Sequence, residues 1–153
     1  MTETADEELL TLDAQVCFAL HAASRAFDAL YRTELRDLGL TYPQYLTMMV
    51  LWETGDLTVK QLGERLRLDS GTLSPLVKRL ETAGLVERRR GRADERSVSV
   101  HLTAQGTALR DRAADVPRRM LDATGLPPEE LTSLHRTLQA LTQHLDAVTN
   151  PAA

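Results

Sequence analysis

The chain has 153 residues, 42% of them apolar and 26% charged, enough for one domain with a core, and no apolar run approaches the ~18–20 residues that cross a bilayer. Its single cysteine excludes an intrachain disulfide framework and an all-cysteine zinc site. The net charge of −4 is unevenly spread: residues 60–96 carry ten Lys/Arg against six Asp/Glu, the remainder eight against sixteen, the distribution of an acidic protein with one local anion-binding face.

The acidic opening "MTETADEELL" is the reverse of a secretory leader, so a soluble cytoplasmic protein is expected. Residues 12–37 read as one long helix, apolar on two faces and therefore buried on two sides. "TYPQY" restarts the chain after Gly39, with Pro43 in a first helical turn and Tyr42 biased out of the helical region. A strongly apolar helix over 43–53 follows. Thr58 and Gln61 have capping-box spacing and open a helix over 59–66. "RLDSG" is a turn, after which Asp69 or Ser70 caps a helix to Thr82 with Pro75 near its first turn. "LVERRR" and "SVSVHL" then read as two strands joined by "GRADER". Thr103 caps a helix over 104–124 with a kink at Pro117, and "GLPPEE" opens the last helix. There Leu131, Leu134, Leu138, Leu141, Leu145 and Val148 form a heptad seam that wants another helix against it.

Two short helices joined by a tight turn, then a basic hairpin, is the winged helix-turn-helix layout, so the fold class is mainly α with a small β-hairpin wing. Its second helix would present Ser70, Gly71, Thr72, Ser74 and Pro75 to base edges or phosphates, with Lys78 and Arg79 further along. The hairpin offers Arg88, Arg89, Arg90, Arg92 and Arg96 to phosphates or an adjacent minor groove. Each hydroxyl and arginine taken singly is also an ordinary surface residue; together, in this order, they point to double-stranded DNA.

"DERSVSVHLTAQG" fits a D-x-R-x5-L-T-x2-G wing signature through Asp94, Arg96, Leu102, Thr103 and Gly106 and resembles the MarR family of winged-helix regulators. "VCFALHAASR", "LTYPQYL" and "LTVKQLGERLRLDSGTLSPLVKRLE" resemble its organic-hydroperoxide-sensing, OhrR-type branch, and the likeness runs over roughly 9–148. The resemblance implies one domain over 1–153. Dimerisation helices at 9–40 and 104–149 would flank a DNA-binding region at 43–103, in a homodimeric repressor on a pseudo-palindromic operator.

Cys17 read physically is either a small buried hydrophobe or a reactive thiol. Fourteen residues separate it from Tyr31, which puts the two within about 40° on one helix face but roughly 21 Å apart along the axis. Within one straight helix they cannot meet. Two copies packed antiparallel about a two-fold axis near Ser24, where "AAS" is thinnest, would bring Cys17 opposite the partner's tyrosine. The resemblance implies the same: the cysteine of the family corresponds to Cys17, and two tyrosines of the other subunit, corresponding to Tyr31 and Tyr42, hydrogen-bond it. Thiolate would attack the terminal oxygen of an organic hydroperoxide and become sulfenic acid. His21 stands one turn on, where some relatives carry tyrosine, and either tunes the thiol or packs. With no second cysteine, the sulfenic acid needs a low-molecular-weight thiol or overoxidises.

Three other readings stand beside this one. The same fold can serve a small apolar ligand with Cys17 structural. A thiol peroxidase or cysteine hydrolase would need a recycling thiol or a positioned base, and His101, His135 and His144 show no evident partner in the sequence. Cys17 and His21 at i,i+4 supply half a zinc site, so no metal and no cofactor are expected.

Overall fold

The computed structural model describes residues 8–91 and 96–151. The chain divides into two compact units, Met1–Ala114 and Asp115–Ala153. The first holds α1 (Val16–Glu34), α2 (Tyr42–Thr54), β1 (Leu57–Thr58), α3 (Val59–Leu66), α4 (Ser70–Thr82), β2 (Val86–Arg90), β3 (Val98–Leu102) and α5 (Ala104–Ala113). The second holds α6 (Val116–Ala123) and α7 (Pro128–Thr149).

The expected helix over 12–37 is shorter and broken at both ends. Gln15 is extended (φ −82°, ψ 105°) and separates a 3-10 turn, Leu12–Ala14, from α1. A second 3-10 turn, Arg36–Leu38, follows Leu35 and stops at the left-handed Gly39. Tyr42, expected outside the helix, is the first residue of α2. Reciprocal capping between Thr41 and Gln44 sets the start there, and a first helical residue needs no N–H partner. The helix expected over 104–124 is two helices rather than one kinked at Pro117. Proline lacks the N–H that continuation requires, so the helix resets and Pro117 falls at the second position of α6, where that donor is dispensable.

Local chemistry explains the other starts. Thr58 and Gln61 cap α3 reciprocally, the Asp69 side chain accepts from the Thr72 N–H at 2.7 Å, and Thr103 accepts from the Gly106 N–H at 3.0 Å. Pro75 lies in the second turn of α4 rather than the first. It therefore costs the helix one N–H to the Gly71 carbonyl, on the exposed side where water can replace it.

The sheet is antiparallel in the order β1-β3-β2, with Leu57 opposite Val100 and Arg88 also opposite Val100 from the other side. Strand β1 went unread in the sequence because two residues show no period. The core of the first unit joins α2 (Tyr45, Met48, Leu51), α3 (Leu62), α4 (Leu73, Val77, Leu80) and the inner face of the sheet (Val86, Val100). Two long-range bonds tie α5 to it: the Trp52 indole N–H donates to the Gly106 carbonyl at 2.9 Å, and the Thr103 hydroxyl donates to the Gly84 carbonyl at 2.6 Å. In the second unit Val116 and Met120 are buried, and no residue of α7 is. Among the described residues no helix is long and apolar enough to cross a membrane.

Candidate functional site

Two regions carry the residues singled out by the sequence. The first is the helix-turn-helix and wing. The turn between α3 and α4 is tight: Arg67 takes a left-handed conformation (φ 56°), and a Cβ on Gly63 would stand 2.7 Å from the Leu68 carbonyl oxygen, so only glycine lets the chain double back there. Beyond it α4 buries Leu73, Leu76, Val77 and Leu80 and leaves Ser70, Gly71, Thr72, Ser74, Pro75, Lys78 and Arg79 exposed. The exposed set recurs every three to four residues and forms one stripe, so the hydroxyls and both cations face solvent together. Hydrogen bonds from the backbone and side chain of Thr72 hold the Asp69 carboxyl below the usual carboxylate range.

In the wing, Glu87, Arg88, Arg89 and Arg90 are exposed along β2. Their partners separate them. Arg88 is held by Glu81 at the end of α4: its backbone N–H donates at 2.9 Å and its guanidinium at 3.0 and 3.1 Å. Those bonds keep the Glu81 carboxyl low, the backbone one contributing most. Arg88 thus ties the wing to the second helix of the motif. Arg89 pairs with Glu87 at 3.1 Å, and Arg90 makes no ion pair with a described residue. Arg96 is exposed at the base of β3. Arg92 and Asp94 lie outside the described residues. A cleft of about 1040 Å³ opens between α3, the turn and the base of β3, with Lys60, Arg67, Ser70 and Arg96 on its wall.

The second region is α1 and its approach to α2. Because α1 begins at Val16, Cys17 is its second residue, in the first turn where unsatisfied N–H groups favour an anion. Cys17 is exposed, as are His21 and Ser24. At the far end of α1, the Tyr31 ring stacks on Tyr42 with centroids 4.4 Å apart and lies 6.0 Å from Tyr45. Burial, then the neighbouring Tyr42 and Tyr45, pushes the Tyr31 hydroxyl up to about 12. Burial raises Tyr42 and Tyr45 as well, with Asp28 adding to the first and Tyr42 to the second. The cluster therefore keeps its phenolic protons at physiological pH and offers hydroxyl donors.

The structure brings Tyr31 and Tyr42 together and leaves Cys17 at the other end of α1. Tyr45 was missed in the sequence, although the i,i+3 spacing in "TYPQY" places it beside Tyr42 on the helix. Also missed was a partner for His101, which has two: Asp56 at 2.6 Å and the Ser99 hydroxyl at 2.8 Å. In the heptad seam, Leu131, Leu138 and Leu141 are half-buried, and Leu134 and Leu145 are exposed. Among the described residues no three His, Cys, Asp or Glu side chains cluster as a metal site.

Residues 29–112 match the family model described as transcriptional regulator SarA/Rot. The chain is 45% identical over 147 residues to the HTH-type transcriptional regulator TtmR of Methylorubrum extorquens, covering 96% of this chain and 75% of that one. It is 44% identical over 136 residues to the organic hydroperoxide resistance transcriptional regulator of Bacillus subtilis, covering 89% and 92%. Its fold is similar to that of reduced AbfR bound to DNA (TM-score 0.77, 33% identity, 92% of this chain and 98% of that one) and of overoxidised AbfR bound to DNA (TM-score 0.73, 32%, 92% and 98%). AbfR is a protein of Staphylococcus epidermidis.

Proposed function

Because the chain belongs to the SarA/Rot and MarR-type winged-helix transcriptional regulators, we propose that it is a homodimeric, redox-responsive repressor that releases a pseudo-palindromic DNA operator when an organic hydroperoxide oxidises Cys17. The observation that carries this reading is the placement of the one cysteine. It is exposed in the first turn of a helix that buries nothing and whose other end carries a protonated tyrosine cluster.

On this reading a second copy lies antiparallel on α1 across Ser24, and its Tyr31 and Tyr42 hydroxyls donate to the Cys17 sulfur. Thiolate attacks the terminal oxygen of the hydroperoxide. The S–O bond forms as the O–O bond breaks, sulfur is oxidised by two electrons to sulfenic acid, and the alkoxide leaves as alcohol with a proton from solvent or a tyrosine. A low-molecular-weight thiol then displaces water from the sulfenic acid and leaves a mixed disulfide. That bulk between the two copies re-spaces the paired α4 helices away from half-sites one DNA turn apart. Ser70, Thr72, Ser74, Pro75, Lys78 and Arg79 face the groove; Arg90, Arg92 and Arg96 take phosphates. Phe18, beside the thiol and exposed, favours organic over hydrogen peroxide. His21 packs at the rim. The place of action is the cytoplasm, where the chain meets DNA.

A gel shift tests this. The reduced chain binds its duplex, and stoichiometric organic hydroperoxide with a low-molecular-weight thiol abolishes the shifted band. C17S keeps the band and loses the response. An unchanged band in the treated wild type sinks the redox reading and leaves a regulator of another effector.

A further inference from the structure

On the outer face of the sheet, opposite the buried Val86 and Val100, Ser99 and His101 stand two residues apart on β3. The strand register sets Glu87 opposite His101 and Arg89 opposite Ser99 on β2, and Thr58 opposite Ser99 on β1. Asp56, just before β1, reaches His101 Nδ1 at 2.6 Å, and Ser99 Oγ lies 2.8 Å from Nε2. The Ser99 hydroxyl also lies 3.2 Å from the Arg89 carbonyl oxygen and donates to it.

Proton counting makes this cluster a two-state element. A hydroxyl has one proton. When Ser99 gives it to the Arg89 carbonyl, Nε2 must be the donor to Ser99 Oγ. Nδ1 faces an ionised carboxylate and must donate too, so the ring is an imidazolium. When the ring is neutral, with its proton on Nδ1, Nε2 becomes an acceptor. Ser99 turns its hydroxyl to the ring, and the bond to β2 is lost. The charge on the face changes as well. With the imidazolium, His101 and Arg89 balance Asp56 and Glu87; with the neutral ring the face carries one net negative charge beside the arginines of β2. Of the carboxylates on helices that contact the sheet, Glu81 is held by Arg88 at 3.0 Å, Glu53 by Arg65 at 2.9 Å, and Glu64 on α3 is exposed.

We propose that His101 is a proton-binding positioning residue that couples pH to the grip of the wing on DNA, an inference that rests on the DNA-binding reading above. Protonation ties Ser99 to the Arg89 carbonyl, braces β2 against β3 and removes a negative charge from beside the phosphate-facing wing. By linkage, DNA then raises the proton affinity of His101, and binding takes up a proton. The switch is independent of Cys17. The Asp56–His101–Ser99 order is also that of a hydrolase triad, but here Ser99 stands on a strand with the Arg89 carbonyl oxygen 3.2 Å from its hydroxyl.

The test uses the full chain, reduced, with a fluorescent duplex that it selects from a random-sequence library, and measures anisotropy at fixed salt as a function of pH. The Kd rises about fivefold between pH of about 6 and 8. H101Q, which keeps His21, His135 and His144 as internal controls, gives a flat profile near the high-pH wild-type affinity. S99A keeps His101 but removes the hydroxyl that links the ring to the Arg89 carbonyl, and makes the profile shallower, which loss of a merely structural contact would not do. A duplex bound equally at every pH, or a slope that persists in H101Q, overturns the inference alone. If no duplex is recovered at any pH, the DNA-binding reading falls, and this inference with it.

Discussion

The first two helices are neighbours in sequence and opposites in burial. Helix α2 buries Tyr45, Thr47, Met48, Val50 and Leu51, whereas α1, six residues longer, buries none of its own. The last helix, α7, buries none either. Yet α1 is not polar: Val16, Phe18 and Phe27 are exposed on it, as Leu134, Leu145 and Val148 are on α7. Apolar surface repeated along a long helix is costly to leave in water. The helix-turn-helix and wing thus complete their core within one chain, while the helix bearing Cys17 and the helix bearing the heptad seam each leave apolar side chains exposed. That division suits the proposed function, with a rigid reader and a sensor completed by the second copy.

Three measurements break or sharpen this contrast. The largest effect is expected inside the reader. A Cβ on Gly106 would stand 2.0 Å from the Leu85 carbonyl oxygen, a backbone atom that cannot step aside. G106A should destabilise the fold by about 3 kcal/mol or more, read as a lowered midpoint in thermal denaturation. A wild-type midpoint would mean that the reader is less self-determined than its packing implies.

Next comes the uncovered seam. The double variant L138D/L141D puts two carboxylates into the proposed helix–helix contact. Sedimentation should show monomer at concentrations where the wild type is dimer, a loss of about a hundredfold or more in self-association. Its circular dichroism should change little, because no residue of α7 is buried. A dimer that survives would move the interface elsewhere.

The smallest effect is at the tyrosines between the two regions. All three tyrosines of the chain have hydroxyls raised by burial, Tyr31 to about 12. The folded state therefore holds phenolic protons that the unfolded chain releases near pH 10. The sign follows: stability is unaffected below that pH and falls as pH rises from there towards 12. Absorbance at 295 nm should show the tyrosinate midpoint of the native protein above that of the same protein in denaturant. Coincident midpoints would mean that the cluster is open to water.

Much of the reader was legible in the sequence, because its signals are short-ranged. Thr58 with Gln61 and Thr103 cap helices as expected, and of the two candidates Asp69 and Ser70 the structure uses Asp69. The breaks in α1 and before α6 were harder to read. Periodicity reports which face is apolar and is silent about one extended residue such as Gln15 or about where a helix resets near Pro117. The sensor was legible only as a type of residue in a type of helix. On the proposed function, what completes the Cys17 site lies on a second copy of the chain.

Taken alone, the amino-acid sequence determined the elements whose cause is local: capped starts, the turn at "RLDSG", the alternation of "SVSVHL" and the leucine heptads. Tertiary structure alone decided the pairings between residues far apart in the chain. It set Arg88 on Glu81, Tyr45 beside Tyr31, and Asp56 on His101. Such contacts follow from strand register and from how helices seat on a shared core. A one-residue slip in β3 would turn His101 to the other face of the sheet, and no local pattern records which register wins.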